Sequence, residues 1–223
     1  MEQPGAVAAG LWLTVVATGI YHGLNPAMGW PLAVSAGLMG GGRRDLFGAL
    51  GLLALGHLAA MAVMLLPFAM MTAVVQSQRE IRIGAALVVI AFGLWLLVHR
   101  RHPRFIARIR PTQLALWSFA VAIAHGAGLM LVPIYLGLCQ ARPDRGHQAA
   151  SALIGGDLAT ALMVSVVHTA AMILTGGLIA LLVRAWLGLR FVSRSWFNLD
   201  VVWASSLVAV GGLAMTAAWL DVA

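Results

Sequence analysis

Residues 46–75 read LFGALGLLALGHLAAMAVMLLPFAMMTAVV, without one Asp, Glu, Lys or Arg. About 20 apolar residues in a row span the hydrocarbon core of a bilayer as a helix. This run is longer than that, and it holds a single ionisable side chain, His57. Its Leu, Ala, Val and Gly lack the strict alternation of a membrane β-barrel strand. Only helices and closed barrels satisfy backbone polar groups in lipid, so the stretch reads as a transmembrane helix.

The rest of the chain follows the same pattern. Hydrophobic residues make up 61% of the 223 and charged residues 9%, against roughly 25% charged in soluble domains. Mean hydropathy is +0.94. The expected fold class is an all-α membrane protein of six transmembrane helices, with spans near Ala6–Leu38, Leu46–Val75, Ile83–Val98, Leu114–Leu138, Ala149–Val183 and Leu199–Leu220. The first run would extend about 45 Å or more as one straight helix, and Asn25, Pro26 and Pro31 interrupt it. It is therefore expected to be broken. The fourth span is expected to break near Gly126 and Pro133, and Gly155-Gly156 and Gly176-Gly177 read as weak points of the fifth. The amino-terminal Met-Glu-Gln-Pro-Gly lacks the positive charge of a cleaved signal peptide, so the first span is expected to be retained.

Charge sets an orientation. All fourteen basic residues are arginine. With six spans, Arg43, Arg44, Arg100, Arg101, Arg104, Arg108, Arg110, Arg184, Arg190 and Arg194 share one side, and Arg79, Arg82, Arg142 and Arg145 the other. The positive-inside rule puts the larger group in the cytoplasm and both termini outside, in a bacterial-type inner membrane. Residues 99–112 read as a basic cytoplasmic linker touching anionic lipid. They separate a first three-helix unit, residues 1–98, from a second, residues 113–223. A basic balance that falls between apolar runs is explained by topology, and nucleic acid is not an expected partner. One cysteine, Cys139, excludes a disulfide framework within the chain.

The two units repeat a pattern. The first holds His22-Gly23, then Met28 and Pro31, then His57-Leu58-Ala59-Ala60-Met61 in the next span. The second holds His125-Gly126, then Met130 and Pro133, then His168-Thr169-Ala170-Ala171-Met172. Three spans per unit make the second copy enter from the opposite side. Such inverted repeats place a transporter's site at mid-membrane on broken helices.

The deep histidines carry the candidate chemistry, because an ionisable side chain inside a span is costly and by default functional. Neutral imidazole binds transition metals and exchanges protons near neutral pH. His22, His57, His125 and His168 are the candidate metal ligands. Asn25 lies at the break, and Met28, Met61 and Met172 offer soft thioether donors. His57 with Met61, and His168 with Met172, fall on one helical face at i and i+4. The plain alternatives are histidines that bond a neighbouring helix and methionines that fill the core. Asp157, eleven residues before His168 on the same face, is a candidate for a proton path or an interfacial carboxylate. His99, His102 and His147 fall in loops.

With these residues in view, the chain resembles the lysine exporter superfamily of small six-span carriers. The broken first span, the Gly-Gly-Arg-Arg turn and Gly56-His57-Leu58 carry that resemblance. His22-Gly23-Leu24-Asn25-Pro26 and His168-Thr169-Ala170 are similar to its nickel/cobalt exporter branch. The resemblance implies a secondary transporter of Ni or Co. The chain departs from that branch in having Asn25, Ala27 and Met28 where a second histidine and an acidic residue stand there, and in lacking a histidine-rich loop. Those departures widen the candidate ions to Cu and Zn. The expected function is proton-coupled transport of such a cation, with the ion as substrate and no tightly bound cofactor. One alternative is an exporter of amino acids or other small organic solutes, its histidines serving proton coupling. Another is a non-transporting subunit that assists assembly of a metalloenzyme or oxidase. No nucleophile–base pair marks an enzyme. The expected partners are membrane lipid, a metal ion or small solute and, as an open alternative, further copies of the chain.

Overall fold

The computed structural model describes residues 4–39, 42–74, 78–98, 113–140, 150–186 and 199–220. Eight α-helices and one 3₁₀ turn account for them, with no strand among the described residues. They are α1 Pro4–Leu24, the 3₁₀ turn Pro26–Met28, α2 Trp30–Met39, α3 Arg43–Val74, α4 Gln78–Val98, α5 Leu114–Ala124, α6 Ala127–Gln140, α7 Ala150–Trp186 and α8 Leu199–Leu220. The basic linker 99–112, the loop histidines 99, 102 and 147, and the arginines at 142, 145, 190 and 194 lie outside the described residues.

Among the described residues, three helices are long and apolar enough to cross a membrane: Gly5–Leu24, Arg43–Met70 and Asp157–Trp186. They become four if α5 and α6, bent by 64° at their junction, count as one span. Shorter apolar stretches occupy α4 (Ile83–Trp95) and α8 (Leu207–Thr216). The surface agrees with this reading: Leu13, Leu55, Leu116, Leu174 and Leu213 point outward, while His22, His57, His168, Asp157 and Ser165 are buried. A folded water-soluble domain has the opposite habit with polar side chains. The fold is that of an all-helical chain with lipid-facing apolar helices, consistent with a multi-pass membrane protein.

Both expected breaks are present. After Leu24 the chain leaves α1, and Asn25 caps the 3₁₀ turn by accepting from the Ala27 N–H at 3.0 Å. Gly29 then takes a left-handed φ of 102° before α2 begins. At the second break His125 ends α5, and Gly126 takes φ 69°, a conformation only glycine visits readily. The prolines behave in two ways. Pro31 lies in the first turn of α2, where a missing N–H breaks no helical bond. Pro133, expected to break the fourth span, sits inside α6, and the break falls at Gly126 alone. Gly155-Gly156 and Gly176-Gly177 likewise leave α7 continuous.

The packing joins the two halves of the chain. Helix α1 lies on α7, α3 on both α5 and α7, and α4 on α8. Two apolar clusters form the interior. One gathers Val15, Met61, Leu65, Tyr135 and Val164. The other gathers Trp30, Leu46, Leu50, Leu53 and Ala180. On α3, His57 falls between Leu53 and Met61, and on α7, His168 falls between Val164 and Ala180. Along the broken first segment, His22 falls between Val15 and Trp30. Three helices thus bring their histidines to the seam between the two clusters.

Candidate functional site

Close backbone contact determines which histidines meet. A Cβ added at Gly19 would come within 2.5 Å of the His168 carbonyl oxygen and 2.7 Å of Ala171 Cβ. One turn on, Gly23 lies against the Met172 carbonyl in the same way. Small residues four apart let two membrane helices approach this closely. The approach fixes α1 on α7 at the level of His168, and His22 is within one turn of both glycines.

The result is a triangle of imidazoles from α1, α3 and α7. His22 and His168 have ring centroids 4.7 Å apart and planes at 80°. His22 and His57 stand 5.7 Å apart at 66°, and His57 stacks on His168 at 5.6 Å and 16°. All three are at most 1% exposed. Tyr21 adds an edge contact to His22 at 6.5 Å.

Hydrogen bonds fix two of these rings by their Nδ1 atoms. His22 Nδ1 lies 3.0 Å from the Thr18 carbonyl. A carbonyl only accepts, so Nδ1 donates, and the lone pair of the neutral ring falls on Nε2. The Thr18 hydroxyl gives its one hydrogen to the Val15 carbonyl at 2.9 Å. Toward His168 Nδ1, 3.3 Å away, it is therefore an acceptor, and His168 also carries its hydrogen on Nδ1. The Nε2 atoms of His57 and His168 are buried with no hydrogen-bond partner.

The other candidate residues are distributed around this triangle. His125 is half-buried at the α5–α6 break, donates from Nδ1 to the Val121 carbonyl at 3.0 Å, and is near enough to His22 for their charges to interact. Met28 and Met172 line one small cavity of about 10 Å³ with Gly23, Trp30, Leu50 and Leu53. Asn25 is buried and its Oδ1 is engaged in capping. Met61 is buried in the first apolar cluster, near Gly128 of α6. Asp157 is wholly buried, and its backbone carbonyl accepts the Tyr135 hydroxyl at 3.2 Å. It stands about 16 Å along α7 from His168 at 1.5 Å per residue. Thr18 escaped the sequence reading. The i−4 spacing alone gives no signal for it, since every helical residue there places its carbonyl under the ring.

The donor nitrogens are not gathered around a point. Among the described residues, no three His, Cys, Asp or Glu side chains are arranged as they stand to hold a metal ion. The ring positions are nonetheless compatible with one. Three imidazoles on a tetrahedral ion, at metal–nitrogen distances of about 2.0–2.1 Å, have centroids about 5 Å apart.

No protein-family model, no curated protein and no solved structure matches the chain.

Proposed function

We propose that the protein is a secondary transporter of a transition-metal cation, with His22, His57 and His168 as the mid-membrane site and His125 beside it. The observation that carries this reading is the buried triangle of imidazoles drawn from three helices. An unpartnered buried polar atom costs about 1–3 kcal/mol, and Nε2 of His57 and Nε2 of His168 are two such atoms. Ligand histidines characteristically anchor one ring nitrogen on an oxygen, as His22 and His168 do by Nδ1. Imidazole favours Zn, Cu and Ni. The thioethers of Met28 and Met172 share a neighbouring cavity and would favour a soft ion. That cavity, about 10 Å³, is about the size of one water molecule. Proton exchange supplies the driving force in this reading.

The carrier architecture is six spans in two inverted three-helix repeats, in a bacterial-type inner membrane with both termini outside. Three features support it. The four most extensive packing pairs keep their pattern when the halves are exchanged: α1 on α7 becomes α5 on α3, while α3 on α7 and α4 on α8 map onto themselves. Each half has one break, at Asn25 and at Gly126. Arg184, at the end of α7, reaches the Gly37 carbonyl at 3.4 Å, next to Arg43 and Arg44, so these three arginines share one end of the bundle.

The test is transport in proteoliposomes with a metal-sensitive dye inside, run for Ni²⁺, Co²⁺, Zn²⁺ and Cu⁺ under an imposed pH gradient. Metal flux that collapses in His57→Ala and His168→Ala supports the proposal. Absence of flux for every ion, with no metal retained by purified protein, refutes it.

A further inference from the structure

Thr18 stands between two of the three imidazoles and touches both with different atoms. Its carbonyl accepts the Nδ1–H of His22 at 3.0 Å, and its hydroxyl oxygen faces Nδ1 of His168 at 3.3 Å. The hydroxyl hydrogen is committed to the Val15 carbonyl, so its direction toward His168 is that of an acceptor. Thr18 is 7% exposed, and water does not compete for these bonds. We propose that Thr18 is the positioning residue of the histidine site, holding both rings by Nδ1 so that the lone pair of His22 and of His168 lies on Nε2, the atom an ion would take. The proposal rests on the carrier reading for the ion, but not for the tautomers.

The geometry makes the two rings separable. His22 is held by the backbone of Thr18 and keeps its partner whatever side chain stands at 18. His168 is held by the side chain. Thr18→Val keeps the shape and removes the hydroxyl that faces His168 Nδ1. Thr18→Ser restores the hydroxyl.

The experiment uses full-length protein labelled with ¹⁵N-histidine in detergent or lipid. It compares wild type, Thr18→Val and Thr18→Ser by imidazole ¹⁵N shifts and by binding of Co²⁺, whose visible spectrum reports tetrahedral coordination. In the wild type and Thr18→Ser, His22 and His168 show hydrogen on Nδ1. In Thr18→Val the His168 signal shifts or broadens into tautomer exchange while that of His22 stays. Loss of an outer partner of a metal-ligating histidine typically weakens affinity about 10–100-fold. That loss is expected for Co²⁺ in Thr18→Val, with recovery in Thr18→Ser. Thr18→Val with a wild-type His168 signal and wild-type affinity overturns the proposal. A wild type that binds no Co²⁺ counts against the ion, while the tautomer comparison still decides the role of Thr18. If Thr18→Val does not fold, Thr18→Ala serves in its place, with the same expected loss and the same refuting result.

Discussion

His22 on α1 and His168 on α7 hold their rings nearly perpendicular, with centroids 4.7 Å apart, although they belong to opposite halves of the chain. Both are tied to one residue, Thr18, and His57 of α3 closes the triangle at 5.6 and 5.7 Å. The predictions below follow from this arrangement and from the helix contacts that produce it.

Single replacement of His22, His57 or His168 by alanine is expected to reduce metal affinity by tenfold or more, a loss of about 1.4 kcal/mol or more. Removing a bare ring nitrogen leaves no new unpaired polar atom at His57, so the variant is expected to remain folded. Calorimetric titration with Ni²⁺ or Zn²⁺, beside gel filtration, separates the two effects. His125→Ala, at the half-buried break, is expected to slow transport more than it weakens binding. Equal binding loss there would make it a fourth ligand.

Gly19→Val is expected to destabilise the protein by about 1–3 kcal/mol, the usual cost of overpacking, because its side chain would collide with the His168 carbonyl. It should also separate His22 from His168 and weaken metal binding. Gly10→Ala on the same helix, where an added Cβ meets nothing within 4 Å, is the control and should change neither. Thermal unfolding in detergent, followed by circular dichroism, reads the difference.

Gly126→Ala carries two penalties. Its φ of 69° is unfavourable for alanine, by roughly 1–2 kcal/mol, and the new Cβ would lie 2.5 Å from the Phe92 ring. Combining it with Phe92→Ala is expected to relieve the second penalty and leave the first. A double-mutant cycle on unfolding midpoints measures this coupling. Strict additivity would mean that Phe92 does not press on the break.

Topology is open to labelling. In a Cys139→Ser background, Arg43→Cys should be inaccessible to an impermeant maleimide added to intact cells, and Arg79→Cys should react. Labelling of both from the same side would dismantle the six-span arrangement and the inverted repeat together. In the parent protein, Cys139 is fully buried on α6, and its thiol should react only after unfolding.

Much of this fold is written in local signals. Long uncharged runs mark the helices, and Asn25-Pro26 and Gly126 mark the breaks, because each removes or redirects backbone hydrogen bonds within a few residues. Pro133 misleads on the same logic. A proline seven residues into α6 is absorbed, since the chain has already turned at Gly126. The histidines were legible as candidates because a titratable group in an apolar helix is conspicuous. Which of them meet depends on the relative slide of α1 and α7, and that is fixed by Gly19 and Gly23 against backbone atoms far away in sequence. Thr18 was invisible for a related reason. Its hydroxyl and carbonyl act on two helices at once, whereas in the sequence it is one more small residue in an apolar run. Asp157 shows the limit of helical periodicity, which gives the face but not the depth or the neighbours.

The seam between the two apolar clusters has a consequence for motion. Two of the imidazoles, His22 and His57, come from the first half of the chain, and His168 comes from the second. An ion gripped by all three is a latch between the halves, and its departure requires one half to let go. The grip is unequal, two against one, so in the proposed carrier a separation of the halves should leave the ion with the first half and part it from His168 before the others.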